Sequence, residues 1–454
     1  MPLRLLLVRH GLSSFNLERR VQGRDDLSSL SDQGREQALA TGTALKPLTI
    51  TAAYSSPLSR ARDTAALVLA AQAGGLNAQL EEGLLEVDFE PWTGLLSSEL
   101  KERFPETYRL WLQAPDQLEL RRHDGSPYRP IAELMLQARQ WLERLKQIHP
   151  PGGADQTVLV VAHSAILRCL LLNLLGLPAS GFQRLRIDNC SLSVLNLSDG
   201  GDGTPELQIE SLNGTAHLGR ALPAKGPGPR LLLVRHGETE WNRQGRFQGQ
   251  IDIPLNSQGF VQAEAAGRCL AAVPIQRAYA SSMARPRQTA ERILAERPGI
   301  PLTCLKGLVE IGHGLWEGQL EAEIQAGWPE LLSAWKLAPH TVQMPEGETL
   351  QDVWERSVAS FGRIAAGLDA GETALVVAHD AVNKTILCDL LGLGPAAIWM
   401  VKQGNGGVSV IDYPAPVPSG EESGLFGQLQ PVVTCLNLTT HLGGVLDQTA
   451  AGAL

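Results

Sequence analysis

The sequence predicts an α/β chain of two tandem domains, each a mostly parallel sheet flanked by helices. Three observations carry this reading. The octapeptide RLLLVRHG occurs at 4–11 and again at 230–237. Short apolar runs alternate with stretches of helical spacing, as in an open sheet with helices on both sides. A glycine- and proline-rich stretch, GRALPAKGPGP at 219–229, separates the copies and holds no regular element. The boundaries that follow are 1–218 for the first domain, 219–229 for the linker, 230–446 for the second domain and 447–454 for a tail.

The continuous apolar runs at 5–8, 158–161 and 375–377 read as strands buried on both faces. Helical spacing of apolar residues covers 34–45, 60–71, 131–148 and 350–368. Polar stretches at 199–205 and 414–424 read as connections between strands. Ligands of open α/β sheets bind beyond the carboxyl ends of the strands. His10 and His163 each follow a strand directly, as do His236 and His379. The two histidines of each half are therefore expected to meet at one sheet edge.

The chain has 454 residues, 43% of them hydrophobic, enough for ordinary globular cores. A formal charge of −9 without a basic block argues against binding to nucleic acid or to anionic membranes. Any anion site must be built from local arginines. Six scattered cysteines, in no metal-ligand spacing, fit small buried hydrophobes in a reducing compartment. No apolar run reaches membrane-spanning length and no leader pattern opens the chain, so a cytoplasmic location is expected.

Each half gathers two arginines, two histidines and a glutamate at matching spacing. The sets are Arg9, His10, Arg60, Glu86 and His163, and Arg235, His236, Arg285, Glu310 and His379. These residue types suit phosphoryl transfer from a monoester without a metal ion. Guanidinium forks clamp the non-bridging oxygens, and an imidazole nitrogen attacks phosphorus. A carboxylic acid protonates the leaving alkoxide and its conjugate base then activates water. The second histidine, if protonated, donates to the phosphoryl oxygens. Ser55-Ser56 and Ser281-Ser282 are read as caps of the helices carrying the arginines. Asp88, Glu90 and Glu317 compete with Glu86 and Glu310 for the acid role, and Arg62 and Arg287 with Arg60 and Arg285. His217 and His441, at the closing ends of the domains, read as packing or hydrogen-bonding residues. His123, His149, His313 and His340 have no twin and read as surface or rim residues.

LLLVRHG, the Asn that follows, SSPLSRARDTA with SSMARPRQTA, the Glu before Trp-x-Gly, and VAHS with VAHD together resemble the histidine phosphatase superfamily, the phosphoglycerate-mutase-like proteins. The resemblance covers nearly the whole chain, as two tandem phosphoglycerate-mutase-like domains. It implies that His10 and His236 become phosphorylated and that Glu86 and Glu310 donate the proton. It also implies phosphate pockets of Arg9, Asn16, Arg60 and His163, and of Arg235, Asn242, Arg285 and His379. The implied activity is metal-independent, cofactor-free hydrolysis of a small phosphorylated substrate, a sugar phosphate or a phospho-hydroxy acid. The first half departs from the pattern at Leu12 for Glu238, Glu90 for Gly314, Thr93 for Glu317 and Ser164 for Asp380. Glu90 is expected to add negative charge near Glu86.

Two alternatives stay open. One is a phosphoglycerate mutase. The other makes the first domain a non-catalytic module that binds a phosphorylated ligand or a partner. The segment between the glutamate and the second histidine is expected to set the substrate, with Arg121, Arg122, His123, Lys336 and His340 as candidate contacts to a second anionic group. Intramolecular packing of the two domains is expected.

Overall fold

A computed structural model describes residues 3–201, 206–414 and 430–449. The sequence-read connections at 199–205 and 414–424 and the tail at 447–454 lie largely outside the described residues. The chain gathers into two compact units, the first comprising 3–199 and 212–223, the second 200–211 and the described residues from 224 onward. Residues 206–211 cluster with the second unit because their partners lie there. Ile209 bridges Val401, and the Asp447 N–H donates to Glu210.

In the first unit the chain runs β1 (Leu3–Arg9), α1 (Ser14–Glu18), α2 (Asp32–Leu45), β2 (Ala52–Ser55), α3 (Ser59–Leu69) and β3 (Gln79–Leu80). Short helices α4 (Ser97–Arg103) and α5 (Pro105–Gln113) follow, then a hairpin of β4 (Leu120–Arg121) and β5 (Pro127–Tyr128). The unit continues with α6 (Pro130–Ile148), β6 (Gln156–Ala162), α7 (Ser164–Leu174) and β7 (Leu192–Leu197). β1 pairs parallel with β6 and antiparallel with β7, β2 pairs parallel with β6, and β3 pairs parallel with β2. The middles of the central strands are apolar, and Leu5, Leu6, Val8 and Val158 to Ala162 are buried completely.

After β8 (Leu207–Gly214) the pattern repeats. The elements are β9 (Arg230–Arg235), α8 (Glu240–Gln244), α9 (Ser257–Cys269), β10 (Arg277–Ser281), α10 (Ala284–Ile293) and β11 (Leu302–Leu305), then α11 (Glu321–Gly327), α12 (Pro329–Leu337), α13 (Leu350–Ala366), β12 (Thr373–Ala378), α14 (Asp380–Leu391), β13 (Val408–Asp412) and β14 (Val432–Leu438). β9 lies between parallel β12 and antiparallel β13, and β10 joins β12 to β11 in parallel. Both units are thus mostly parallel sheets flanked by helices, as the sequence predicts.

The helices start where local chemistry allows. Ser31 caps α2 through Gly34 N–H, Pro130 opens α6 where no N–H is needed, and Thr349 caps α13 in a box with Asp352. Trp92 and Trp316 are buried, the first stacked on Phe89 and the second edge-on to Phe247.

Two features of this fold place the site. In the register, Arg9 stands opposite Ala162 and Arg235 opposite Ala378, so the histidines that follow leave neighbouring strands side by side. The turn after β1 lies main chain against main chain on the start of α2. A Cβ on Gly11 would collide with the Gly34 carbonyl, and one on Gly34 with the carbonyl of Leu12. Gly237, Gly259 and Glu238 repeat the contact in the second unit.

Candidate active site

His10 is almost wholly buried, and its main-chain N–H donates to Ala162 O across the strand ends at 2.9 Å. Nδ1 lies 2.7 Å from the carbonyl oxygen of Gly11, which accepts only if Nδ1 carries the proton. Nε2 therefore keeps its lone pair. Burial, reinforced by the charges of Arg9 and Arg60, holds the imidazole well below its ordinary range, so it is neutral. The ring of His163 stands 5.1 Å away, centroid to centroid.

Arg60, on the first turn of α3, is fully buried. Its Nη1 and Nη2 donate to the carbonyls of Asp25 and Gly23, each at 2.9 Å, and its Nε has no protein partner. Burial lowers its pKa to about 10, so the guanidinium stays charged at neutral pH. Arg9 donates from Nη1 to Ile187 O, and its buried Nε also lacks a partner. Buried donors of this kind are costly unless a ligand accepts from them. Asn16 Oδ1 accepts from Ser13 N, Ser13 Oγ and Asn189 Nδ2, leaving its amide nitrogen as the end for a ligand. The Glu86 carboxylate accepts from Val87, Ala165 and Ile166 N–H, which fixes it at the start of α7.

The second unit reproduces the set. His236 Nδ1 lies 2.7 Å from Gly237 O, and the His236 and His379 rings are 5.2 Å apart. Arg285 donates to Gly249 O and Ile251 O, and its Nε reaches Nε2 of His236 at 3.2 Å. Arg235 pairs with Asp380 at 3.2 Å. Glu310 accepts from Ile311, Asp380 and Ala381 N–H. Burial, then the charge of Asp380, raises the Glu310 pKa, which favours an acid able to give up a proton. Asn242 Oδ1 accepts from Thr239 N–H and Oγ1. Among the described residues no group of three or more His, Cys, Asp or Glu side chains could hold a metal ion. Arginines supply the positive charge.

The structure thus brings the sequence-predicted set together in each unit and turns the rivals elsewhere. Arg62 and Arg287 face outward against Asp63 and Glu291. Asp88 pairs with Arg122, while Glu317 accepts main-chain N–H groups of Gln250, Ile251 and His313. Glu90 turns to Arg122 and His123 rather than to Glu86.

Several expectations are corrected. The residues that cap α3 and α10 are Leu58 and Met283, whose side chains make no cap, and the first helical N–H groups go to Asp26 and Asp252. Ser56 and Ser281 instead bond Nε2 of His163 and His379, at 2.8 and 2.9 Å. These histidines are not protonated, because burial holds both well below the ordinary imidazole range. Each serine oxygen already faces a main-chain N–H, so its own hydrogen can go to Nε2. That leaves Nδ1–H of the neutral ring, which has no protein partner, as the donor. His149 and His313 are buried: His149 bonds Tyr54 Oη at 2.8 Å, and His313 packs edge-on to Phe247 and Trp335. Arg122 is tied to Asp88 and Glu133 and stacks on Tyr128, and Lys336 pairs with Glu321, so neither is free for a second anion.

Sequence reasoning missed two groups. Asn189 and Asn405 donate to the main-chain oxygens of His10 and His236 and to the carbonyl of Asn16 and Asn242. Their signal was available: each stands three residues before the strand that follows, β7 or β13. The glutamate-bearing loops are also clamped, by different residues. Arg24 and Gln137 bond the carbonyls of Glu86 and Leu85 in the first unit, while Arg356 and Gln250 bond that of Glu310 in the second.

The profile of the Histidine phosphatase superfamily (branch 1) matches residues 5–208 and 231–419. The chain belongs to this superfamily. A 2-carboxy-D-arabinitol-1-phosphatase of Triticum aestivum is 28% identical over 97% of this chain and 86% of its own length. Phosphoserine phosphatase 1 of Hydrogenobacter thermophilus is 33% identical over 47% of this chain and 94% of its own. The α-ribazole phosphatase of Shigella flexneri, a solved structure, is 25% identical, covers 46% of this chain and 96% of its own, and has a TM-score of 0.41. This histidine phosphatase therefore carries its family's motifs twice. Among its described residues no helix is long and apolar enough to cross a membrane.

Proposed function

We propose that this histidine phosphatase hydrolyses small phosphomonoesters in both units, through phosphohistidines at His10 and His236 and without a metal ion. The observation that carries the reading is a buried, neutral imidazole in each unit. Its Nδ1 is committed to a carbonyl, and its Nε2 lone pair stands among guanidinium groups and a second imidazole.

Nε2 attacks phosphorus as the ester P–O bond breaks. The protonated carboxyl of Glu86 or Glu310 gives its proton to the leaving alkoxide. Arg9 with Arg60, or Arg235 with Arg285, holds the phosphoryl oxygens, helped by Asn16 or Asn242 and by Nδ1–H of His163 or His379. Water then attacks phosphorus, the carboxylate takes its proton, the N–P bond breaks and inorganic phosphate leaves. The carboxyl is protonated again at the end of the cycle.

Ring separations of 5.1 and 5.2 Å support equal roles for the two units, against a silent first one. Sugar phosphates and phospho-hydroxy acids are the substrate class, in keeping with the named relatives. Buried thiols at Cys169, Cys190 and Cys388 support a reducing, cytoplasmic setting. The charge of −9 speaks against nucleic acid.

Rapid quench with a phosphorylated substrate, on wild type, His10→Ala, His236→Ala and the double variant, tests the reading. Acid-labile, base-stable phosphoenzyme should form at two sites, at one in each single variant and at none in the double. A double variant that still turns over overturns it. Faster isomer formation than phosphate release, from 3-phosphoglycerate with a bisphosphate primer, would make the enzyme a mutase instead.

A further inference from the structure

The two pockets differ in charge one helical turn beyond the second histidine. In the second unit Lys384 Nζ lies 2.6 Å from the Asp380 carboxylate, which also pairs with Arg235. Lys384 further stacks on Trp399, 5.0 Å from the ring centre. Its charge is spent inside the protein.

In the first unit the same positions hold Arg168 and Ser164. Ser164 brings no charge, and Arg168 has no acidic partner among the described residues. Its Nη1 touches Gln183 Oε1 at 3.5 Å, its guanidinium lies over Phe182 at 4.8 Å, and its Nε–H is sealed from solvent without a hydrogen bond. Helical side chains lean toward the helix N-terminus. That lean directs Arg168 back toward the first turn of α7, where Ala165 and Ile166 hold Glu86. Burial lowers its pKa to about 10, and the charges of Arg9, Glu86 and Asp188 act on it as well, Asp188 being itself paired with Arg186. Gln183 ties this corner to Trp111 O on α5, within the segment between Glu86 and His163. Each pocket thus sets a third cation beside its arginine pair, and that of the first, a planar fork, has no carboxylate paired to it while that of the second does.

We infer that Arg168 forms a carboxylate subsite in the first pocket, so that this pocket selects phosphomonoesters bearing a carboxylate close to the ester, while the Asp380–Lys384 pair removes that selection from the second. The inference rests on the phosphatase reading above and divides the substrate class between the units.

The test compares 3-phosphoglycerate with glycerol 3-phosphate, which share skeleton and ester and differ by a carboxylate for a hydroxymethyl. In the His236→Ala chain, which reports the first pocket, the ratio of kcat/KM for the two esters should exceed that of the His10→Ala chain at least tenfold. Arg168→Gln should lower the ratio by a similar factor. Ser164→Asp should do the same without touching the arginine, and Asp380→Ser should raise the second pocket's ratio. Equal ratios in the two pockets overturn the inference, as does an Arg168→Gln variant that slows both esters alike. If Arg168→Gln does not fold, Ser164→Asp decides. If neither pocket turns over either ester, the phosphatase reading fails. Calorimetric binding of both esters to the His236→Ala chain, with and without Ser164→Asp, then decides alone: a tenfold loss confined to 3-phosphoglycerate sustains the subsite, and equal binding ends it.

Discussion

Nε of Arg285 stands 3.2 Å from Nε2 of His236, so a fixed guanidinium proton faces the imidazole lone pair. The other two nitrogens of Arg285 are held by the carbonyls of Gly249 and Ile251. A lysine has one mobile ammonium and cannot meet all three acceptors. Arg285→Lys should lower the second pocket's kcat/KM by about a hundredfold, measured as phosphate release in the His10→Ala background. An unchanged value would mean that the fork is structural only.

Glu310 is proposed to act twice, as acid and then as base. With p-nitrophenyl phosphate the leaving group needs no proton, so Glu310→Gln should leave the first step fast and slow the second by about 10²–10⁴-fold. In the His10→Ala background the expected trace is a burst of p-nitrophenol of one site, with phosphohistidine accumulating at His236. Undiminished steady turnover would place another group in the role of base.

Arg356 holds the loop of Glu310 from α13, while Arg24 holds that of Glu86 from the turn after α1. Arg356→Ala should reduce only second-pocket turnover, by about tenfold, through a lower kcat at little-changed KM. Arg24→Ala should do the same for the first pocket alone. Measurement in the two single-histidine backgrounds separates them, and a KM effect without a kcat effect would assign these arginines to substrate instead.

Stability should fall in mild acid. His10, His163, His236 and His379 are buried below the unfolded value of about 6.5, as are His441 at about 4 and His313 at about 3. Below pH 6.5 the unfolded chain takes up protons that the folded one refuses, so unfolding becomes easier as pH drops. The stabilisation is complete above pH 6.5 and is lost progressively toward the folded values, by about 1.4 kcal/mol per pH unit for each such histidine. Denaturant midpoints between pH 7 and 5 should show this slope, and His441→Gln should flatten it. A flat profile would show that these rings charge in the folded state.

The repeat made most of the site legible. Whatever recurs with its neighbours in both halves, such as His10 with His236 or Arg60 with Arg285, is picked out by position alone. The strand register then brings each pair of histidines together. What stayed hidden depends on contacts between distant parts of the chain. Ser56 was visible as a helix-start residue, but its partner His163 lies 107 residues away. Asn189 meets His10 across 179 residues and sits in no matching word. His149 and His313 lack twins, and each is buried against partners of its own half, Tyr54 and Gln156 for the first and Phe247 and Trp335 for the second. Rim charges such as Arg122 looked free because their acidic partners come from other elements, the loop residue Asp88 and Glu133 of α6.

The glycine seams carry a further consequence. At positions 11, 34, 237 and 259 any side chain would pry apart two main chains, one of them leading from a proposed nucleophile. Saturation libraries scored by turnover in the two single-histidine backgrounds should therefore each show two empty columns, at residues with no reactive atoms of their own. Attempts to retune either pocket have to leave these crossings intact and recruit diversity farther out, in the stretch between each glutamate and its second histidine.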